Sequence, residues 1–508
     1  MKRILFFTNS DYGQANVVLA TAHALVHATS DVEIHIASFH DLQATVRATS
    51  NFALSSTPEG SNAKPFVFHD LEGISWGPAT FRPETGVNAA NDLTPGFVNS
   101  AKCASLIPTV MLPWRPEEFI AIYREAECVL EEVKPDLIVV DPIFTPGLTL
   151  CHHLNVNWMV LAPNTIKDFV LPSQPGMAML WKYPFVCSAM PYPLPWSLVP
   201  RNIFLNLVAG YALLTDARIK NTTQLLRKEV SRSITLMTAN ELGVLKAPPR
   251  GLRMLVANSP EIDYPFSVLP PHIIPCGPIV RAVPLIGNVD PALAEWLSHG
   301  PTVYVNLGTH LKADPVEASE MARAFKNVLD QAGELYGGKG RKPLQILWKL
   351  GRKLEAGNEA LKRDVYEGSW KAVVDVLSSE MKADRVRITD WVRAEPKSVL
   401  ESGHVVCSVN HGGASSFYEA LCAGVPQIIL PPWFDTYDFA NRVELLGVGR
   451  WGSKESKPRW EQKELAYSLS EVLYGPKSES ILAKAREVAS WHPESAGREK
   501  AAREILAA

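Results

Sequence analysis

The chain reads as an α/β protein of two domains, each built on a doubly wound parallel sheet. Three observations predict this. A length of 508 residues with 46% hydrophobic content supplies two cores. Short apolar runs alternate with amphipathic helical stretches in both halves, the pattern of parallel strands covered by helices. The stretch 275–301, rich in Pro and Gly, separates the halves and places the hinge. The expected division is 1–280, 281–475 and a helical terminal segment, 476–508.

In chain order, RILFFTN is the first strand, and the loop 10–14 leads into a helix with apolar Val18, Leu19, Ala22 and Val26. Strand VEIHIASF follows. Pro116 opens a helix whose Phe119, Tyr123, Ala126, Val129, Leu130 and Val133 recur at helical spacing, and strand DLIVVD comes next. In the second half, strand TVYVNLG ends at Gly308 and Thr309. Asp314, Pro315 and Glu317 cap a helix carrying Ala322, Phe325, Val328 and Leu329. The last stretch, 478–508, is rich in Ala, Glu, Lys and Arg and reads as helix.

Composition excludes several classes. With 50 basic and 53 acidic residues and a net charge of -3, nothing attracts nucleic acid. Seven widely spaced cysteines, mostly in apolar runs, fit reduced thiols and a cytoplasmic location. The apolar run in MKRILFFTNS is too short for a signal-peptide core. No CxxC or HExxH metal motif occurs, and Cys151, His152 and His153 read as part of a helix. No cofactor is expected. The stretch 169–215 is the most apolar of the chain, with Trp181, Tyr183, Phe185, Tyr192, Trp196, Phe204 and Tyr211, but Pro184, Pro191, Pro193, Pro195 and Pro200 interrupt it too often for a membrane span. It reads either as a buried core insert or as an apolar acceptor pocket or lid that also touches a membrane surface.

The residues 411–432, HGGASSFYEALCAGVPQIILPP, carry the most chemistry. The buried run VVCSVN ends at a His-Gly-Gly turn, and a helix follows, closed by Gly424 before a second apolar strand. Gly412 and Gly413 let backbone approach an anion, the helix N-terminus supplies free N–H groups, and His411 and Ser416 can donate to the same anion. Glu419, three residues beyond Ser416, lies on the same face, where a carboxylate accepts from a ribose diol.

This constellation resembles the nucleotide-sugar signature of family 1 glycosyltransferases, the UDP-glycosyltransferases, with His411, Gly413, Ser416, Glu419 and Gly424-Val425-Pro426 at the family's spacing. Asp390-Trp391-Val392 resembles the stretch whose Trp stacks on uracil. Pro432-Trp433-Phe434-Asp435-Thr436 resembles the sugar-contacting segment, with Thr436 where a Gln is usual. Glu295-Trp296-Leu297-Ser298 resembles the connector into the second domain. The resemblance implies the GT-B fold, two facing domains with ligands in the cleft at their strand ends and a terminal helix crossing back to the first domain. It implies inverting transfer of a hexose, glucose foremost, from a UDP-sugar co-substrate to a hydroxyl or carboxyl of a lipophilic small molecule, in secondary metabolism or detoxification. Gly308 and Thr309 join the donor site.

The base is where this chain departs from the family. Members usually place a His after the Gly of the first loop, oriented by an Asp at the end of a later strand; here the loop is Asp11-Tyr12-Gly13-Gln14, and Gln14 is no base near neutral pH. Asp141, ending DLIVVD, occupies the partner position. Asp11, Asp141 and His69, the last placed in a loop region, are the candidates, with Gln14 orienting the acceptor; His23 and His27 lie too far down the first helix. A non-catalytic nucleotide-sugar-binding or partner protein of the same fold is the alternative. A dinucleotide oxidoreductase ranks far below both, since no GxGxxG follows a predicted strand.

Overall fold

Two all-parallel sheets organise the chain, and the computed structural model describes residues 1–58, 61–336, 342–353 and 368–508. One unit is Met1–Ala282 with Glu494–Ala508, the other Val283–Pro493.

The first sheet consists of β1 (Lys2–Phe7), β2 (Val32–Ser38), β3 (Val67–Asp70), β4 (Leu137–Val140), β5 (Trp158–Ala162), β6 (Met254–Val256) and β7 (Ile273–Pro275). Their order is β3-β2-β1-β4-β5-β6-β7. Both faces are covered, which is why the central strands are apolar without alternation: all of β4 and Ile4 through Phe7 of β1 are buried. Ile4 pairs with Ile34 on one side and Leu137 on the other. Helices α1 (Tyr12–Ala28), α2 (Phe97–Ser105), α3 (Pro116–Val133), α4 (Thr145–Leu154) and α5 (Val199–Thr215) belong to this unit. In α3 Pro116 takes the first helical position, and the Glu118 carboxylate accepts the Arg115 N–H at 2.9 Å. Cys151, His152 and His153 lie within α4.

The second sheet repeats the design with β8 (Thr302–Asn306), β9 (Gln345–Lys349), β10 (Val386–Thr389), β11 (Val405–Asn410), β12 (Gln427–Ile429) and β13 (Gly449–Trp451), ordered β10-β9-β8-β11-β12-β13. Helix α6 (Pro315–Tyr336) begins with a reciprocal cap: Asp314 accepts the N–H groups of Val316 and Glu317, and Glu317 accepts that of Asp314. Helices α7 (Ala414–Cys422), α8 (Thr436–Leu446) and α9 (Ser478–Trp491) complete what concerns the site.

In place of one terminal helix the structure has two. Pro493 cannot continue α9, and His492 before it is extended, with φ -127° and ψ 73°. Helix α9 stays in the second unit. Helix α10 (Ala496–Leu506) closes the first, setting Ala501, Ala502 and Ile505 into the core beside α1. Lys2 Nζ donates to the carbonyls of Ile505 and Leu506 at 3.0 and 3.2 Å, and Lys500 Nζ to that of Pro275 at 2.5 Å.

In each sheet the strand order reverses once, between β1 and β4 and between β8 and β11. Loops leaving the carboxyl ends of such strand pairs diverge and open a ligand crevice. Asp11, Gln14 and Asp141 follow β1 and β4 at the first of these points, and Gly308, Thr309 and the stretch from His411 to Glu419 follow β8 and β11 at the second.

Candidate active site

In the second unit, Asn306 and Asn410 end β8 and β11 side by side in register. Each turns its side-chain oxygen to the N–H two residues on, Gly308 at 3.1 Å and Gly412 at 2.9 Å. These Asx turns release the following backbone from the sheet. Gly308 and Gly412 have φ of +80° and +76°, which a side chain rarely tolerates. A Cβ on Gly308 would lie 2.7 Å from Cε1 of His411, and one on Gly413 would lie 2.9 Å from the same atom. The imidazole is therefore seated between two glycine backbones. Beyond it α7 begins, and its first-turn N–H groups have no intrahelical acceptor.

His411 is neutral at physiological pH. Desolvation, reinforced by the charges of His310 and Lys349, pushes its pKa down to about 4. Its Nδ1 is buried with no hydrogen-bond partner. The ring is thus held in a fixed orientation between the glycines, with Lys349 as a neighbouring cation. At the end of β9, Lys349 Nζ donates to the Gly308 carbonyl at 3.3 Å and sits 4.3 Å from the centre of the Trp391 ring. Burial first, then Lys312, lowers its pKa. Trp391 is 62% exposed, an open aromatic platform beyond β10. Ser416 sits in the first turn of α7, and Glu419 is buried one turn on.

Lys349 escaped the sequence reading. The signal was present: a lysine ends the buried run QILWK, and β9 pairs with β8 so that Lys349 lies opposite Asn306. Thr436, expected at the sugar, is buried; its hydroxyl donates to the Trp433 carbonyl and accepts the Trp433 N–H at 3.2 Å, closing the turn that leads into α8. Asp435, just before α8, is half-buried, and Thr309 is exposed.

In the first unit, Asp141 follows β4 and is 1% exposed. Its Oδ2 accepts the backbone N–H and the side-chain amide of Asn9 at 3.3 and 3.1 Å, and its Oδ1 accepts the Ile143 N–H at 2.9 Å. Desolvation outweighs these bonds and, with the charge of Asp11, raises its pKa to about 7. Asp11, half-buried before α1, accepts the Gly77 N–H at 3.2 Å. The amide oxygens of Asn9 and Gln14 are buried and unpartnered. The structure thus brings Asp11 and Asp141 together electrostatically around Asn9.

The histidines belong elsewhere. His69 is on strand β3, not in a loop: its Nε2 lies 2.9 Å from Nδ1 of His35 on β2, and desolvation lowers the pKa of both. A strand with only four residues at the sheet edge carries too weak a periodicity to be read from sequence. His23 and His27 stack on each other at 4.5 Å within α1. Among the described residues no cluster of three metal-ligating side chains occurs.

Two doubly wound sheets, with a histidine-glycine cradle at a helix N-terminus beside the reversal of the second, define a GT-B glycosyltransferase that uses a nucleotide sugar. A family profile described as UDP-glucoronosyl and UDP-glucosyl transferase matches residues 372–481. Glycosyltransferase sdnJ of Sordaria araneosa is 33% identical over 455 residues, spanning 89% of this chain and 84% of its own. The structure of a UDP-glucose: anthocyanidin 3-O-glucosyltransferase in complex with UDP superposes with a TM-score of 0.59 at 18% identity, covering 100% of this chain and 99% of the other. A UDP-glucosyltransferase from Polygonum tinctorium capable of glucosylating indoxyl gives 0.60 at 14% identity, covering 100% and 98%. The chain belongs to the family 1 UDP-glycosyltransferases, and it is an enzyme that moves sugar from a UDP-sugar to a small-molecule acceptor.

Proposed function

We propose that this enzyme transfers glucose, with inversion, from UDP-glucose to a hydroxyl or carboxyl of a lipophilic, aromatic or terpenoid acceptor. The carrying observation is the seat of His411 between Gly308 and Gly413 beside Lys349. A diphosphate there meets a neutral imidazole N–H, the first-turn N–H groups of α7 with the Ser416 hydroxyl, and one ammonium. Trp391 stacks the uracil, Glu419 accepts from the ribose, and Asp435 takes the sugar hydroxyls. The same donors hold the charge that grows on the leaving UDP.

The acceptor oxygen attacks the anomeric carbon, the bond from that carbon to the diphosphate oxygen breaks, and the acceptor proton passes to a carboxylate. Asp11 takes it. Asp141 is sealed and holds three hydrogen bonds, which suits fixing Asn9 and the loop rather than touching substrate. Gln14, half-buried in the same loop, orients the acceptor hydroxyl through its amide. Glucose is supported by the glucosyltransferase neighbours, and a role in secondary metabolism by the fungal relative. The free cysteines support a cytoplasmic location.

Incubation with UDP-glucose and a panel of phenols, carboxylic acids and terpenoid alcohols tests the reading. UDP release with a β-glucoside by NMR is expected, undiminished by EDTA because His411, Lys349 and α7 serve the diphosphate. An α-glucoside, or activity lost to EDTA and restored by magnesium, overturns it.

A further inference from the structure

The outward face of α5 is apolar along its length. Phe204, Leu207, Tyr211 and Leu214 follow one another at helical spacing toward solvent, the last three exposed by 66%, 71% and 74%. Asn202, Leu205, Ala209 and Leu213 on the opposite side are buried. A surface helix normally turns charge outward; this one turns none. The patch continues beyond the helix. Phe97 of α2 stacks on Phe204 at 4.6 Å, and Trp196, 78% exposed just before α5, stacks on Trp181 at 5.9 Å. Exposed apolar surface this contiguous marks a binding face.

Charge points to the occupant. From 169 to 215 the chain has Lys182 and Arg201 and no acidic residue. Lys102 on α2 is exposed, and beyond α5 so are Lys220, Arg227 and Lys228, against exposed Asp92 and Glu229 and half-buried Asp216. Tryptophan and tyrosine beside lysine and arginine is the chemistry of the bilayer interface. The stretch Trp196–Glu229 is long and apolar enough by composition to cross a membrane. Its inner side, however, is committed to protein: Asn202 accepts the Phe185 N–H at 2.7 Å and donates to the carbonyls of Leu180 and Tyr183. The helix therefore lies along a surface instead of crossing it.

We propose that the exposed face of α5, with Trp196, Trp181 and Phe97, docks the enzyme reversibly on bilayers that contain anionic lipid. The surface does not depend on which sugar or acceptor the enzyme uses. Flotation of the full chain with vesicles of phosphatidylcholine and phosphatidylserine tests it. The wild type floats with these vesicles and less with phosphatidylcholine alone. Leu207→Glu with Leu214→Glu lowers the floated fraction by more than about tenfold and, both sites being exposed, keeps the melting temperature at the wild-type value; Phe97→Glu, on the neighbouring helix, lowers the floated fraction too. A wild type that floats with neither vesicle, or variants that float as it does, overturns the proposal. So does a wild-type dimer in sedimentation equilibrium that the double variant dissolves, since a second copy would then occupy the face.

Discussion

Asp11 and Asp141 carry like charge around Asn9, and this coupling has a kinetic signature. With the Asp141 pKa raised to about 7, kcat/KM for an alcohol acceptor should fall as pH drops through that value, because a protonated Asp141 accepts more weakly from Asn9 and loosens the loop that carries Asp11. Asp141→Asn should abolish this limb. A wild-type profile flat from pH 6 to 8 would detach Asp141 from turnover. Asp11→Asn should cost about two to four orders of magnitude in kcat, the scale of general-base removal, and leave the donor KM unchanged; Gln14→Ala should cost less. At the donor, Lys349→Met should lower kcat by about 10²-fold, as for loss of one preorganised donor to a developing charge, and weaken UDP in a thermal-shift titration. His411 was legible because its spacing to Ser416 and Glu419 is local. Lys349 was not, because its neighbours Gly308, Trp391 and His411 come from three other strand ends that only strand register brings together.

The cradle is made by two short strand-to-helix turns, and its geometry depends on the missing Cβ atoms. Gly413→Ala would press a methyl against the imidazole. Losing the hydrogen bond to a charged phosphate costs about 1.5–3 kcal/mol, so the donor KM should rise about 10- to 100-fold with Tm little changed. A donor KM within twofold of wild type would mean the ring yields without consequence. The strands and helices were legible wherever the apolar period was long, as in α3 and α6. The short elements were not: β3 reads as loop, and α9 and α10 merge unless Pro493 is given its weight. Thr436 shows a similar limit, since its hydroxyl looks available in sequence and is taken up by the turn it closes.

The composition, alternation and Pro/Gly-rich connector were enough to foresee two doubly wound units, because each of these signals belongs to the whole chain. The return of α10 to the first unit is a tertiary contact that composition cannot reveal. Ile505 alone contributes about 1.5–3 kcal/mol by burial, and its neighbours Ala501 and Ala502 cover α1. A chain ending at residue 493 should melt several degrees lower and bind a dye for exposed apolar surface; an unchanged melting curve would show α10 to be dispensable. The same contact sets a timetable for synthesis. The unit that is translated first is completed last, by fifteen residues that leave the ribosome after the entire second unit. Until then the apolar flank of α1 stands open in the nascent chain, a standing target for chaperones. Premature termination far downstream would spoil the half of the enzyme already made.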